Sequence, residues 1–186
     1  MLNIPNILTL SRIVVIPIVV ITFYFDSPAT RWFALGLFIA AGITDFFDGY
    51  LARRSNQVSR FGRFLDPIAD KLLVASLLLM LVGFERVSIW SYLPALVILL
   101  RELLVSGLRE FLAEIQIGLP VTNLAKWKTF LQMLSLGFLI VGTASPPWMP
   151  AQIVGEIGLW LAATFTLVTG YDYMKAGLKY MAPADS

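Results

Sequence analysis

A chain of 186 residues in which 58% are hydrophobic and 14% charged, with mean hydropathy +0.79, has too little polar surface to clothe a water-soluble globule. Lys and Arg number 14 against 12 Asp and Glu, and the resulting +2 is too slight a bias for nucleic-acid binding, so the surrounding partner is membrane lipid. Cys and His are absent, which excludes disulfides, thiol nucleophiles and imidazole acid–base chemistry and leaves carboxylates to bind any metal or move any proton.

Apolar stretches over about residues 5–25, 31–52, 64–84, 88–112, 124–144 and 151–175 each approach the ~20 residues that cross a bilayer as a helix. They predict an all-α polytopic membrane protein of six transmembrane helices in a single domain, 1–186. The first stretch follows residues 1–5 without a basic segment or a cleavage site, and reads as a retained span. Its polar residues Asn6, Thr9 and Arg12 fall at i, i+3 and i+6, so one face points at protein or water. Nucleotide contact and hydrogen bonding to a neighbouring helix both fit that stripe.

Turn chemistry separates the spans: Asp26-Ser27-Pro28, then Gly83 before Glu85-Arg86, Gly118-Leu119-Pro120, and Ser145-Pro146-Pro147. The second break differs, since residues 53–63 hold four arginines and no acid while four aspartates flank them. Arg53, Arg54, Arg60, Arg63, Lys126, Lys128, Lys175 and Lys179 lie on one side of the six-span topology, and only Arg31 and Arg86 on the other. The bias puts the second and fourth loops and both termini in the cytoplasm. Trp32, Trp90, Tyr92, Trp148 and Trp160 fall near helix ends of the opposite face, as interfacial anchors. Glu156 and Asp172 are isolated acids and read as helix-end or interface residues.

Asp45 and Asp48 are three apart, Asp66 and Asp70 four apart, so each pair shares a helix face beside the arginine loop. Helices joined by a short loop are expected to be neighbours, which would let four carboxylates converge. Each acid at membrane depth costs about 2.5 to 3.5 kcal/mol on insertion scales, and four together need cations. With oxygen ligands alone the ions are expected to be hard, Mg²⁺ or Mn²⁺, and four aspartates suit two of them. Capping and pairing with nearby arginines is the structural alternative. Gly49 and Gly62 would let a bulky ligand or a neighbouring backbone approach. Two hard metals at a cytoplasmic membrane face, beside arginines, point to a lipid diphosphate as substrate.

The run Asp45-Phe-Phe-Asp48-Gly49-Tyr-Leu-Ala52-Arg53, then eight residues, Gly62, three residues, Asp66, three residues and Asp70 resembles the CDP-alcohol phosphotransferase signature D-x2-D-G-x2-A-R-x8-G-x3-D-x3-D at all eight fixed positions. Residues 3–12, the stretch from Arg101-Glu102 to Arg109-Glu110, and Lys126-Trp127-Lys128-Thr129 further resemble the bacterial branch of that family that makes phosphatidylglycerophosphate. The resemblance implies transfer of a phosphatidyl group from CDP-diacylglycerol to glycerol 3-phosphate with release of CMP, in the bacterial inner membrane and as a homodimer. By motif position, Asp45, Asp48, Asp66 and Asp70 would ligate the metals and Asp70 would also be the general base, the catalytic residue. Gly49, Ala52, Arg53 and Gly62 would shape the CDP pocket.

The resemblance places Arg101, Arg109 and Lys126 around the acceptor's phosphate, and charge logic concurs, since metals engaged with a diphosphate cannot also hold it. Arg101 and Arg109, eight apart, lie on nearly one face of the fourth helix, and an ion pair of Arg101 with Glu102 or Glu110 is its structural alternative. Snorkelling to anionic lipid is the alternative for Lys126 and the expectation for Lys128, and Thr44 is expected to support the nucleotide or bond its own helix. Other acceptors within the family (serine, inositol phosphate, phosphatidylglycerol), a divalent-cation transporter, and a prenyltransferase, whose aspartate-rich motifs are spaced differently and far apart in sequence, are the rivals. A transporter would need acids continuing through the bilayer, and the third, fifth and sixth spans are almost purely apolar beyond their cytoplasmic ends.

Overall fold

In the computed structural model, residues 4–54, 60–118 and 123–181 are described, and all their regular structure is helical. The middle of the arginine loop, Leu119 and Pro120 fall outside them. The α-helices are α1 (Ile4–Thr22), α2 (Pro28–Arg54), α3 (Arg60–Gly83), α4 (Tyr92–Glu114), α5 (Asn123–Val141) and α6 (Ala151–Met181), with 3₁₀ turns at Ile89–Ser91 and Gly142–Ala144. Among the described residues three segments are long and apolar enough to cross a membrane: Ile89–Glu114, Asn123–Ala144 and Ala151–Tyr180. The apolar run of α1 is shorter, Asn6–Thr22. Charges inside α2 and α3, among them Asp45, Asp66, Asp70 and Lys71, dilute their apolar character.

The chain forms two compact units, Met1–Arg86 with Gly137–Gln152, and Val87–Leu136 with Ile153–Ser186. In the first unit α1 packs on both α2 and α3. Its core is apolar, with Val19, Phe23, Ala34, Phe38, Ala69, Leu73, Leu77 and Leu81 buried. Pro28 opens α2 at the one position where a missing N–H costs nothing. The Thr30 N–H donates to Ser27 Oγ at 3.2 Å and the Ser27 N–H donates to Thr30 Oγ1 at 3.1 Å, a reciprocal cap with Thr in the place of Glu or Gln.

Arg31 and Arg86, the two basic residues set apart by the charge count, meet at the same acid. Asp26 Oδ1 lies 2.8 Å from Arg31 Nη2 and 3.2 Å from Arg86 Nη2. The hydrogen bond from Arg31 holds the Asp26 carboxyl below its ordinary range. Burial lowers the Arg86 guanidinium, helped by the Arg31 charge and opposed by Asp26. Arg86 also stacks on Phe23 at 4.2 Å, and Arg31 Nη1 donates to Thr143 Oγ1 at 3.0 Å. The ends of α1, α2 and α3 and the turn after α5 are thus tied at one point. Trp32 Nε1 donates to the Ala144 carbonyl at 3.3 Å, while Trp90 and Trp148 are the most exposed of the expected anchors.

The second unit is held by close contact between helices. Val105, Leu108, Leu112 and Tyr173 form its buried cluster, with Ile117 and Met174 against it. Gly177 makes the α4–α6 approach possible, because a Cβ there would stand 2.6 Å from Leu108 Cδ1. Glu156, on α6, reaches the start of α4: its Oε1 accepts the Ser88 N–H at 2.9 Å and its Oε2 accepts Ser91 Oγ at 2.9 Å. The acid expected at a helix end therefore serves the end of a different helix, where a carboxylate satisfies donors and complements the dipole.

Two helices stop where the glycines do not predict. The Arg86 N–H bonds the Leu81 carbonyl and the Glu85 N–H bonds the Val82 carbonyl; Ile117 to Leu112 and Gln116 to Ala113 repeat the pattern. These are Schellman closures. Their left-handed positions are Glu85 (φ 52°) and Gln116 (φ 60°), two residues after Gly83 and two before Gly118. A left-handed non-glycine residue costs roughly 1–2 kcal/mol. Gln116→Gly should therefore raise the unfolding midpoint in detergent, by the equivalent of about 1 kcal/mol. A lowered midpoint would mean that the Gln116 side chain contributes more than its backbone conformation costs.

Candidate active site

The polar stripe of α1 is buried. Asn6, Thr9 and Arg12 are each almost fully covered within the first unit. Arg12 Nη1 lies 2.5 Å from Asp45 Oδ1 on α2, and Thr9 Oγ1 donates to Asp66 Oδ1 on α3 at 2.5 Å. The helix spacing that puts Thr9 and Arg12 on one face of α1 lets a single helix hold one acid from each half of the aspartate motif. α1 thus touches one described acid on each of the two helices that carry the motif.

Burial differs sharply across the Arg12–Asp45 pair. The arginine side chain is 0% exposed and the aspartate 45%. A buried guanidinium needs its carboxylate, since an unpaired one costs several kcal/mol. Each contact engages one carboxylate oxygen, and a carboxylate offers two. An oxygen-only donor set, oriented by neighbours that are not themselves ligands, fits a hard divalent cation.

Asp70 is one turn beyond Asp66 on α3 and exposed, and Gly62 is buried. Among the described residues no three acids come within a shared metal-binding distance. The side chains of Asp48, Ala52 and Arg53, and Gly49 beyond its helical backbone, lie outside the described residues. Thr44 Oγ1 bonds the Ala41 carbonyl at 2.8 Å, so of its two expected roles it takes the bond to its own helix.

The second unit arranges the other cations. Arg101 Nη1 donates to Glu102 Oε1 at 3.2 Å and Nη2 to Thr169 Oγ1 at 3.1 Å. Arg101 and Arg109 both face the ring of Tyr173, in agreement with one shared face of α4. Lys128 does not snorkel. It is 3% exposed and its Nζ donates to Glu102 Oε1, so a single carboxylate oxygen serves two cations of two helices. Lys126 is exposed and lines an open groove of about 470 Å³ with Asn123, Trp127 and Phe130. Tyr173 and Thr169 were not singled out by the sequence, where an aromatic and a threonine in an apolar helix carry no distinguishing pattern.

The sequence profile of the CDP-alcohol phosphatidyltransferases matches residues 2–168. The chain belongs to that family. Family members depend on a divalent metal, and the carboxylates of the aspartate motif on α2 and α3 are oxygen donors of the kind such an ion takes. A Rickettsia bellii protein named CDP-diacylglycerol–glycerol-3-phosphate 3-phosphatidyltransferase is 52% identical over 178 residues, covering 96% of this chain and 97% of its own. Proteins of the same name from Cereibacter sphaeroides and Haemophilus influenzae are 41% identical over 214 residues (96% of this chain, 97% of theirs) and 38% identical over 178 (93% and 92%).

In a metal-dependent phosphatidyltransferase, partners that orient a ligating carboxylate control metal affinity, by roughly 10- to 100-fold per partner. Thr9→Val, which removes the hydroxyl at Asp66, should raise the Mg²⁺ concentration for half-maximal activity by about tenfold while leaving the saturated rate within a few-fold. An unchanged metal requirement would show that this bond only packs helices.

Proposed function

We propose that this chain transfers the phosphatidyl group of CDP-diacylglycerol to the primary hydroxyl of glycerol 3-phosphate, yielding phosphatidylglycerophosphate and CMP. The observation that carries the chemistry is the complete aspartate motif spread over α2 and α3, with Asp45 and Asp66 each held by a side chain of α1. The choice of acceptor is supported by relatives of that name at up to 52% identity over nearly the whole chain. A cationic second unit, in which Arg101 and Arg109 share one side of α4, supports an anionic acceptor over serine.

Asp45, Asp48, Asp66 and Asp70 would hold two divalent ions, Mg²⁺ or Mn²⁺, whose charge neutralises the diphosphate when they are bound. Arg12 and Thr9 keep two of these carboxylates oriented. Gly49, Ala52, Arg53 and Gly62 admit and grip the CDP moiety, small residues giving access and the guanidinium a fork for phosphate oxygens. Asp70 accepts the proton of the acceptor hydroxyl as its oxygen bonds to the lipid-side phosphorus. The bond from that phosphorus to the bridging oxygen breaks, and CMP leaves with that oxygen. Arg101, Arg109 and Lys126 bind the acceptor phosphate and so aim its hydroxyl.

The same reading takes residues 1–186 as one functional domain of six membrane spans, supported by a family match that runs through five of the helices and into the sixth. The eight-to-two distribution of basic residues supports cytoplasmic termini and a cytoplasmic active site in the bacterial inner membrane. A homodimer in that membrane is the family's expectation.

The test is CMP release by the purified protein in detergent, with CDP-diacylglycerol, Mg²⁺ and separately glycerol 3-phosphate, serine, inositol phosphate or phosphatidylglycerol. Release with glycerol 3-phosphate alone, abolished by EDTA and by Asp66→Asn and reduced about 10²-fold or more by Asp70→Asn, is the expected result. Release with a different acceptor would overturn the acceptor assignment, and metal-independent release would overturn the site.

A further inference from the structure

Two guanidinium groups share one aromatic ring in the second unit. Arg101 Cζ lies 5.7 Å and Arg109 Cζ 5.3 Å from the centre of Tyr173, both within cation–π reach. Tyr173 is 6% exposed and packed with Val105, Leu108 and Leu112, so the ring cannot turn away without opening the core. The α6 backbone makes room for Arg101 one turn earlier, where a Cβ on Gly170 would stand 3.0 Å from Arg101 Cγ.

The two cations are held differently. Arg101 is braced by Glu102 and Thr169, and its buried Nε has no hydrogen-bond partner among the described residues. Arg109 is exposed, meets no carboxylate among the described residues, and lies against the ring. Like charges gathered at one ring repel, and the quadrupole of the ring offsets that repulsion while leaving guanidinium N–H donors available to an anion. A carboxylate in the place of the ring would hold both arginines more tightly and compete with a phosphate for them.

We propose that Tyr173 is a positioning residue: its ring fixes the spacing and orientation of Arg101 and Arg109 so that their remaining donors converge on the acceptor's phosphate. The proposal rests on the acceptor-pocket reading given under Proposed function. Tyr173 touches no reacting atom in this role, and its effect appears in acceptor binding, not in proton transfer or metal affinity.

The experiment compares Tyr173→Leu and Tyr173→Phe with the unaltered protein, measuring KM separately for glycerol 3-phosphate and CDP-diacylglycerol. Tyr173→Leu should raise KM for glycerol 3-phosphate about tenfold, with KM for CDP-diacylglycerol and the Mg²⁺ requirement changed less than twofold, and Tyr173→Phe should stay within about threefold of the unaltered protein. Equal rises with Phe and Leu would assign the effect to the hydroxyl and overturn the proposal, as would no rise with Leu. Gly170→Ala, which crowds the Arg101 stem without touching the ring, gives a second reading if Tyr173→Leu does not accumulate: it should raise the same KM and spare the other. No rise there overturns the proposal too. Arg101→Gln and Arg109→Gln separate the two levels. If neither raises KM for glycerol 3-phosphate, the pocket reading itself fails; if both do and Tyr173→Leu does not, only the role of the ring fails.

Discussion

The structure of the first unit depends on the contact between Arg12 and Asp45. An acid motif at a membrane surface is costly unless cations neutralise it, and a guanidinium with no exposed side-chain surface is costly unless an acid neutralises that. One contact meets both needs and fixes α1 against α2. One turn earlier, Thr9 fixes α1 against α3 through Asp66. The first helix is therefore the frame on which the two halves of the motif are registered, and a cation of the chain itself, Arg12, compensates part of the acid charge at all times.

A different economy of charge operates in the second unit. Glu102 neutralises Arg101 and Lys128 together, which draws α4 and α5 into contact through a buried network. Arg109 is stabilised by an aromatic face instead, so its positive charge is not cancelled. One unit thus presents acids restrained by cations, and the other presents cations only partly restrained by an acid. At the far ends of α1, α2 and α3, Asp26 binds Arg31 and Arg86, so the positive charge on that side is tied up in structure.

How much of this the sequence discloses follows from the range of each interaction. The six helices, the break at Asp26-Ser27-Pro28 and the aspartate motif depend on local composition and spacing, and they are legible. The stripe of Asn6, Thr9 and Arg12 shows that one face of α1 is not lipid-facing, but its partners Asp66 and Asp45 are chosen by packing over more than thirty residues of chain. Lys126 and Lys128 illustrate the limit. Two residues apart on a helix, they point about 200° away from each other, so one must be covered when the other is exposed. Only the position of Glu102 decides which, and it buries Lys128. The Schellman closures at Glu85 and Gln116 were hidden because nearby glycines offered a more obvious left-handed residue. Tyr173 was hidden because a tyrosine near the end of a long helix reads equally as packing or an interfacial anchor, and its contact with Arg101 and Arg109 is made across helices.

The central claim, that Arg12 and Asp45 form an obligatory pair holding α1 to the aspartate motif, is tested most directly by a double-mutant cycle on thermal unfolding in detergent and EDTA. Arg12→Gln, Asp45→Asn and the double variant are compared with the unaltered protein. The account predicts strong non-additivity, with each single change destabilising, the double variant recovering part of the loss, and a coupling energy on the order of 1–3 kcal/mol. Additive effects would contradict it and show that the Arg12–Asp45 contact does not hold α1 to α2.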